Sequence, residues 1–317
     1  MSDKKFDVVV VGELNVDLIL NNLESFPEIG KEKLAKDMAL TLGSSSAIFA
    51  SNLSSLGAKV AFLGKIGNDY FGKLVLDKLT EKGVDVSLIV KDSVSSTGAT
   101  IVLNFAEDRA MVTYPGAMNN LTIKDVAKES IEQAKHLHFS SYYLQPGIRN
   151  DVDKMYKLAK DLGLTTSFDM QWDPEEKWQL DYEKVLPYVD IFLPNEQEIL
   201  HLTKEKSIAD ALKKISGVSN KTAIKMGSKG SILYEKGKAI NKDPFLNKNV
   251  VDAIGAGDSF NAGFIFKFII GSEPEVCQEF GNLMGAINTT AAGGTTAFTN
   301  YQNIMKIAKE KFGYKTK

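Results

Sequence analysis

Apolar positions along this chain fall into two recurring patterns. Short unbroken runs rich in β-branched residues, 6–11 and 60–63, have the character of strands buried on both faces of a parallel sheet. Between such runs lie stretches with apolar residues at helical spacing, which predict helices over 47–56, 71–81, 123–134, 152–162 and 208–215. Several of these end at Gly57, Gly83, Gly163 and Gly217, where glycine suits a left-handed C-terminal turn. Further strands are predicted at 136–139, 165–168, 191–193, 222–225 and 231–234. The alternation implies an α/β fold with a mainly parallel sheet flanked by helices on both faces. In such sheets ligands bind beyond the carboxyl ends of the strands, so chemistry is expected in the loops that follow them.

Two stretches break the rhythm. In 13–42 and 97–116 strand-like runs follow one another with no helix between them, which predicts a small β lid. Residues 1–12, 43–96 and 117–317 then form the α/β core. The Lys-rich end, 309–317, is expected to be a fraying helix terminus.

Composition narrows the partners. With 317 residues, 44% of them hydrophobic, the chain can bury a large core. A formal net charge of -2 gives no basic footprint for nucleic acid or an anionic membrane, and leaves small molecules as the expected ligands. The greasiest segment, 263–270, is interrupted by Lys267 and is far shorter than the roughly 20 apolar residues that span a bilayer, so it is expected as a buried helix. Cys277 is the only cysteine, and His136, His138 and His201 have no cysteine cluster beside them. His136 and His138 alternate within an expected strand and are assigned structural roles. A cytoplasmic location is expected.

The segment that carries chemistry is Val250-Val251-Asp252-Ala253-Ile254-Gly255-Ala256-Gly257-Asp258-Ser259-Phe260, followed by an apolar helical run. Small residues at Gly255, Ala256 and Gly257 let a phosphate approach the backbone, and the helix that follows aims free N–H groups at it. Asp258 then lies inside an anion hole. A carboxylate beside a phosphate is unfavourable unless it has a task, and proton abstraction from an attacking hydroxyl is the expected one; read alone, the segment equally suits a tight turn with a first-turn aspartate favoured by the helix dipole.

Residues 252–263 read D-x-x-G-A-G-D-S-F-N-A-G and closely resemble the C-terminal signature of ribokinase-like (PfkB) carbohydrate kinases. Other segments resemble the same family in order. Gly12-Glu13-Leu14-Asn15-Val16-Asp17 is similar to G-x-x-N-x-D, whose Asn and Asp contact substrate hydroxyls, and 64–72 to a conserved turn. The resemblance implies ATP as phosphoryl donor, Mg2+ held near its phosphates through water by Glu198 of the Asn195-x-x-Glu198 motif, and a nucleotide site at Asn195, Lys225, Gly227, Ser228, Gly230, Gly257 and Asn282. It implies a sugar-type acceptor at Asn15, Asp17, Gly43, Ser44, Ile48 and Asp258, and a lid that often forms a homodimer interface. Asp252 stands where some members bind a monovalent cation. A near match to a P-loop, Gly67 to Leu74, lacks the hydroxyl residue that follows Lys73 in a true one, and is read as a packed turn.

The chain departs from the family pattern in places. The substrate loop Gly43-Ser44-Ser45-Ser46-Ala47-Ile48 carries isoleucine where the family has a hydroxyl-binding asparagine. No basic residue closely follows Phe168-Asp169, which leaves Lys225 or Lys177 to neutralise phosphate. Ala253 replaces a threonine common in cation-dependent members. Two other readings therefore stand beside a sugar kinase: a nucleoside kinase of the same fold, with Ile48, Tyr142 and Tyr143 accommodating the base, and a catalytically silent binder.

Overall fold

A computed structural model of the protein describes residues 4–105 and 108–315. The strand Phe6–Val11 lies inside an eight-stranded sheet, paired in parallel with Val60–Leu63 on one side and Ala134–Ser140 on the other. Thr165–Asp169, Ile191–Phe192 and Lys221–Lys225 continue the parallel run. Ser231–Glu235 and Lys238–Lys242 finish that edge as an antiparallel hairpin. At its turn Lys236 and Gly237 are both left-handed, with φ of 49° and 81°, as a tight right-twisted hairpin needs.

Successive valines of Phe6–Val11 serve opposite faces. Val9 and Val11 join a core with Met155, Tyr156 and Phe168, whereas Val8 and Val10 join one with Phe49, Leu53, Phe260 and Phe264. The unbroken apolar run is therefore what a strand covered on both sides requires. On the second face the helices Ser45–Ser55 and Ala256–Ile269 lie together, and the Asn52 amide donates to Ser259 Oγ at 2.9 Å and to the Gly294 carbonyl at 2.8 Å. Residues 263–269 of the apolar segment fall within the second of these helices, buried as far as Ile265, whereas Ile270 is its exposed C-cap; among the described residues no helix is long and apolar enough to cross a membrane. His136 and His138 are buried in the sheet and share hydrogen bonds with Ser167, while burial pushes His136 down to about 3.

A second sheet of four strands, ordered Asp37–Leu42, Asn15–Asn21, Gly98–Phe105, Asp108–Tyr114, is built from the two stretches that break the α/β rhythm. Its inner pair, Asn15–Asn21 with Gly98–Phe105, is parallel although the two segments are far apart in sequence.

Two expectations are corrected. The stretch 123–134 is not one helix: it forms a single turn Ile123–Asp125 and a short helix Lys128–Ile131, and Ala134 already opens a strand. The Asp125 carboxylate is drawn back onto the Thr122 N–H at 2.8 Å and pairs with Lys65 at 3.0 Å, which closes the first turn on itself. Gly217 does not take the left-handed conformation seen at Gly57, Gly83 and Gly163. The last helix, Tyr301–Phe312, is closed by left-handed Gly313, and Tyr314 then packs near Phe280 and Phe245. Residues 309–315 are thus a glycine-capped helix end followed by two further residues, and 316–317 lie outside the described residues.

The turn at 64–72 packs as its sequence implies. Asp69 caps the helix Tyr70–Glu81 through the Gly72 N–H at 2.8 Å and accepts from the Thr97 N–H at 2.7 Å, tying the turn to the start of the second sheet. Lys73 points to solvent and pairs with Asp77. Asp69→Ala removes the cap and the Thr97 bonds together and is expected to cost about 2 kcal/mol in urea unfolding. Lys73→Ala is expected to keep the wild-type unfolding midpoint and turnover.

Candidate active site

The parallel strands deliver their carboxyl ends to one side of the large sheet, and Asp169 and Lys225 are the last residues of two of them. Facing these ends is the first turn of the helix Ala256–Ile269. Its N-cap, Gly255, has φ of 76°, and a Cβ there would come within 2.7 Å of Gly294 Cα and 3.0 Å of Ile48 Cγ2. Only glycine meets both the backbone and the packing demand. At Gly257 the missing side chain leaves room beside the Lys225 ammonium. The unpaired N–H groups of this helix start open onto a cleft of about 790 Å³.

Asp169, fully buried, holds the centre of the site. Its Oδ2 accepts from Lys225 Nζ at 2.7 Å, from Gln171 Nε2 at 2.9 Å and from the Asn261 amide. Gln171 Nε2 also donates to Asp258 Oδ1 at 2.9 Å. Burial, with Asp169 nearby, pushes the Asp258 carboxyl up to about 8, against the pull of Lys225. Burial and Asp169 likewise push Glu198 up to about 7. For Lys225 burial favours the neutral amine, but Asp169, Glu198 and Asp258 outweigh it and raise its pKa. Three carboxyl groups thus share one buried ammonium, an arrangement with capacity for further positive charge.

Of the residues predicted for the acceptor, Asp17, Ser44, Ile48 and Asp258 line the cleft, and Asn15 and Gly43 do not. The Asn15 amide is taken by Thr100 Oγ1 at 2.8 Å and Asp17 Oδ1 at 3.2 Å, so it orients Asp17 from behind. A side chain on Gly43 would run into the Asp17 carboxyl. Burial pushes Asp17 up to about 6, with Arg109 of the same sheet among the groups that hold it back. Ile48 is buried, with its branches against Gly255 and Gly294 and its edge on the cleft. Tyr142 and Tyr143, weighed as contacts for a nucleobase, sit in the apolar core with Phe168 and Trp178. They are absent from the cleft wall.

Of the residues expected to hold nucleotide and metal, Asn195, Glu198, Lys225, Gly227, Ser228, Gly230, Gly257 and Asn282 line the same cleft. Asn195 and Glu198 cap each other reciprocally, side chain to backbone, at 2.8 Å each way. A Cβ at Gly230 would strike the Lys242 carbonyl. The Asn282 amide donates to the Asp243 carbonyl at 3.1 Å, so its N–H serves the loop and leaves its oxygen for a ligand. Asp252 accepts from the Ile254 and Gly293 N–H groups, each at 2.9 Å, and clamps the loop before the helix. Among the described residues no group of three His, Cys, Asp or Glu side chains forms a ready metal cage. Glu198, one of the buried carboxyl groups on the cleft that also receives the start of the helix Ala256–Ile269, fits a cation carried in with phosphate and held through water. Of the two lysines considered for phosphate neutralisation, Lys225 is in the cleft, whereas Lys177 is exposed and pairs with Glu175.

Asp169, Gln171, Asn261 and Glu13 were not singled out from the sequence. Asp169 had one available signal, its position as the last residue of a central parallel strand. Glu13 is buried and bonded to Ser46 in the substrate loop, and its charge adds to the upward pressure on Asp17 and Asp258.

A family model described as pfkB family carbohydrate kinase matches residues 5–300. An uncharacterized sugar kinase of Archaeoglobus fulgidus is 30% identical over 234 residues, covering 74% of this chain and 92% of that protein. A 5-dehydro-2-deoxygluconokinase of Lacticaseibacillus casei is 29% identical over 321 residues, covering 95% of each. Among solved structures, ribokinase of Arabidopsis thaliana complexed with ribose and ATP superposes with a TM-score of 0.82 at 23% identity, covering 96% of this chain and 99% of that one. Ribokinase of Thermotoga maritima gives 0.84 at 24% identity, covering 96% and 100%.

The electrostatics of the cleft have a cost in stability. Because the folded-state pKa of Asp258 lies above its ordinary value of 3.8, the folded protein holds a proton that the unfolded chain releases, and stability falls as pH rises from about 4 through about 8. Asp258→Asn removes that penalty. Its melting temperature without ligands is expected to exceed wild type by a few degrees at pH 8.5 and by little at pH 5, as read by differential scanning fluorimetry.

Proposed function

The chain belongs to the pfkB family of carbohydrate kinases, and from that membership we propose that it transfers the γ-phosphoryl group of ATP to a primary hydroxyl of a sugar or sugar derivative, with Asp258 as base. The observation that carries this is the placement of Asp258 in the first turn of Ala256–Ile269, buried in the cleft between the Asp17 side and the Glu198 and Lys225 side. The acceptor O–H gives its proton to the Asp258 carboxylate while its oxygen bonds to the γ-phosphorus and the bond to the ADP oxygen breaks. The N–H groups of Gly255, Gly257 and Asp258 and the Lys225 ammonium stabilise the charge on the transferring group, while the Ala256 N–H is taken by the Ala253 carbonyl. Magnesium bound with ATP would neutralise phosphate charge, with Glu198 its anchor through water.

On the acceptor side Asp17, positioned by Asn15, receives hydroxyls, and Ser44 lies beside it. The second sheet, which contributes Asp17, Val102 and Arg109 to the cleft, acts as a lid that excludes water during transfer. Exposed Met38, Val112 and Tyr114 on that sheet support pairing with a second copy of the chain. Asp252, with both oxygens engaged by backbone N–H groups, clamps the loop, and it is the residue that would hold a monovalent cation.

An ADP-release assay over sugars, sugar acids and nucleosides tests the reading, and a sugar-type acceptor is expected to give turnover. Asp258→Asn is expected to lower kcat by roughly 100-fold or more with saturating acceptor, while ATP binding measured by calorimetry stays within a few-fold of wild type. Near-normal turnover by this variant would falsify the assignment of the base.

A further inference from the structure

We infer that Gln171 is a positioning residue of the phosphoryl-transfer site, one that fixes the Asp258 carboxyl in the orientation from which a single oxygen takes the acceptor proton. The inference rests on the reading of Asp258 as base and adds a residue that this reading does not need.

Three observations carry it. First, Gln171 adopts φ of 60°, a left-handed backbone that a residue with a Cβ avoids unless its surroundings hold it there. Second, Asp169 supplies that hold from both ends of the residue, accepting the Gln171 backbone N–H at Oδ1 (3.2 Å) and its side-chain amide at Oδ2 (2.9 Å). Third, the same amide nitrogen has a second N–H, and this one meets Asp258 Oδ1 at 2.9 Å. An amide NH2 has two donors, and here both are spent on carboxylates.

The loop beyond Gln171 is built to keep this geometry. Asp173 accepts from the Glu175 N–H at 3.0 Å and the Trp178 N–H at 2.6 Å. Trp178 lies flat on His201 with ring centroids 4.9 Å apart, and Trp172 meets Trp178 edge-on. Glu176 and Trp178 are left-handed as well. A segment this strongly determined presents one donor to the base at a set position.

The chemistry follows from that donor. With Oδ1 of Asp258 occupied, Oδ2 accepts the proton as the acceptor O–H breaks, the new O–P bond forms and ADP leaves. The charged groups acting on Asp258 come from separate elements: Asp169 and Glu13 oppose its ionisation, and Lys225 favours it. Gln171 favours the ionised form as well, and does so without bringing a charge that would compete for the phosphate.

Two variants test this. Gln171→Met keeps the length and bulk of the side chain and deletes both donors, and Gln171→Gly deletes the side chain while relieving the left-handed backbone, so loss of folding in one does not remove the test. The Asp258 carboxyl is titrated in ligand-free protein by 13C NMR with carboxyl-labelled aspartate, assigned by its loss in Asp258→Asn, and the pH profile of kcat/KM is measured beside it. Removing the donor disfavours the carboxylate, so the Asp258 titration and the acidic limb of kcat/KM are expected to move up together by about one pH unit. Turnover near neutral pH then falls by about tenfold and recovers in part on the alkaline side. Titration and limb coincident with wild type in whichever variants fold would overturn the inference, whatever the loss of turnover. A shifted titration in a protein that phosphorylates no acceptor would instead uphold the contact and defeat the kinase reading of the site.

Discussion

A carboxylate with no surface in water must be answered by donors from the protein itself, and Asp169 is such a group. Its answers come from three directions: Lys225 from a neighbouring strand end, Asn261 from the helix that opens at Gly255, and Gln171 from the loop just beyond its own strand. Each of those donors belongs to a different wall of the cleft. Satisfying one buried charge therefore fixes the mutual placement of the strand ends, the helix Ala256–Ile269 and the loop beside Asp258. The Lys225 ammonium and the Asp258 carboxyl are held on either side of the cleft by the same group.

Close approach is the second constraint. Gly255 and Gly294 meet over Ile48, and Gly43 makes way for the Asp17 carboxyl. Gly255, Gly294 and Ile48 form one packing unit beneath the helix start. Isoleucine at 48 thus fills space between two backbones as well as presenting an edge to the cleft, which a reading of the substrate loop by pattern alone does not reveal.

Local pattern made much of the fold legible. Runs of β-branched residues marked the parallel strands because those strands are covered on both faces, as the split of Val8 and Val10 from Val9 and Val11 shows. Comparison with the family supports the fold and the kinase class that the 252–263 segment suggested. What remained hidden depends on distance along the chain. Asp169 finds Lys225 56 residues away and Asn261 92 residues away, and no spacing rule joins them. Residues 123–134 misled because their apolar spacing is helical, while Asp125 is claimed by Lys65, 60 residues earlier. Asn15 was placed in the pocket by its motif, but its amide is spent on Thr100 of the neighbouring strand.

The contact between the helices Ser45–Ser55 and Ala256–Ile269, sealed by Asn52 on Ser259, joins residues 207 positions apart. On the ribosome the first helix leaves the exit tunnel long before its partner exists. At roughly 5–20 residues per second the interval is on the order of 10 to 40 seconds. Through that time the surface that will carry Phe260 and Phe264 has no cover, and the nascent chain must be kept from other apolar surfaces by chaperones or by transient packing of its own. The helix that carries Asp258 is thus also the piece whose arrival first covers that face of the large sheet.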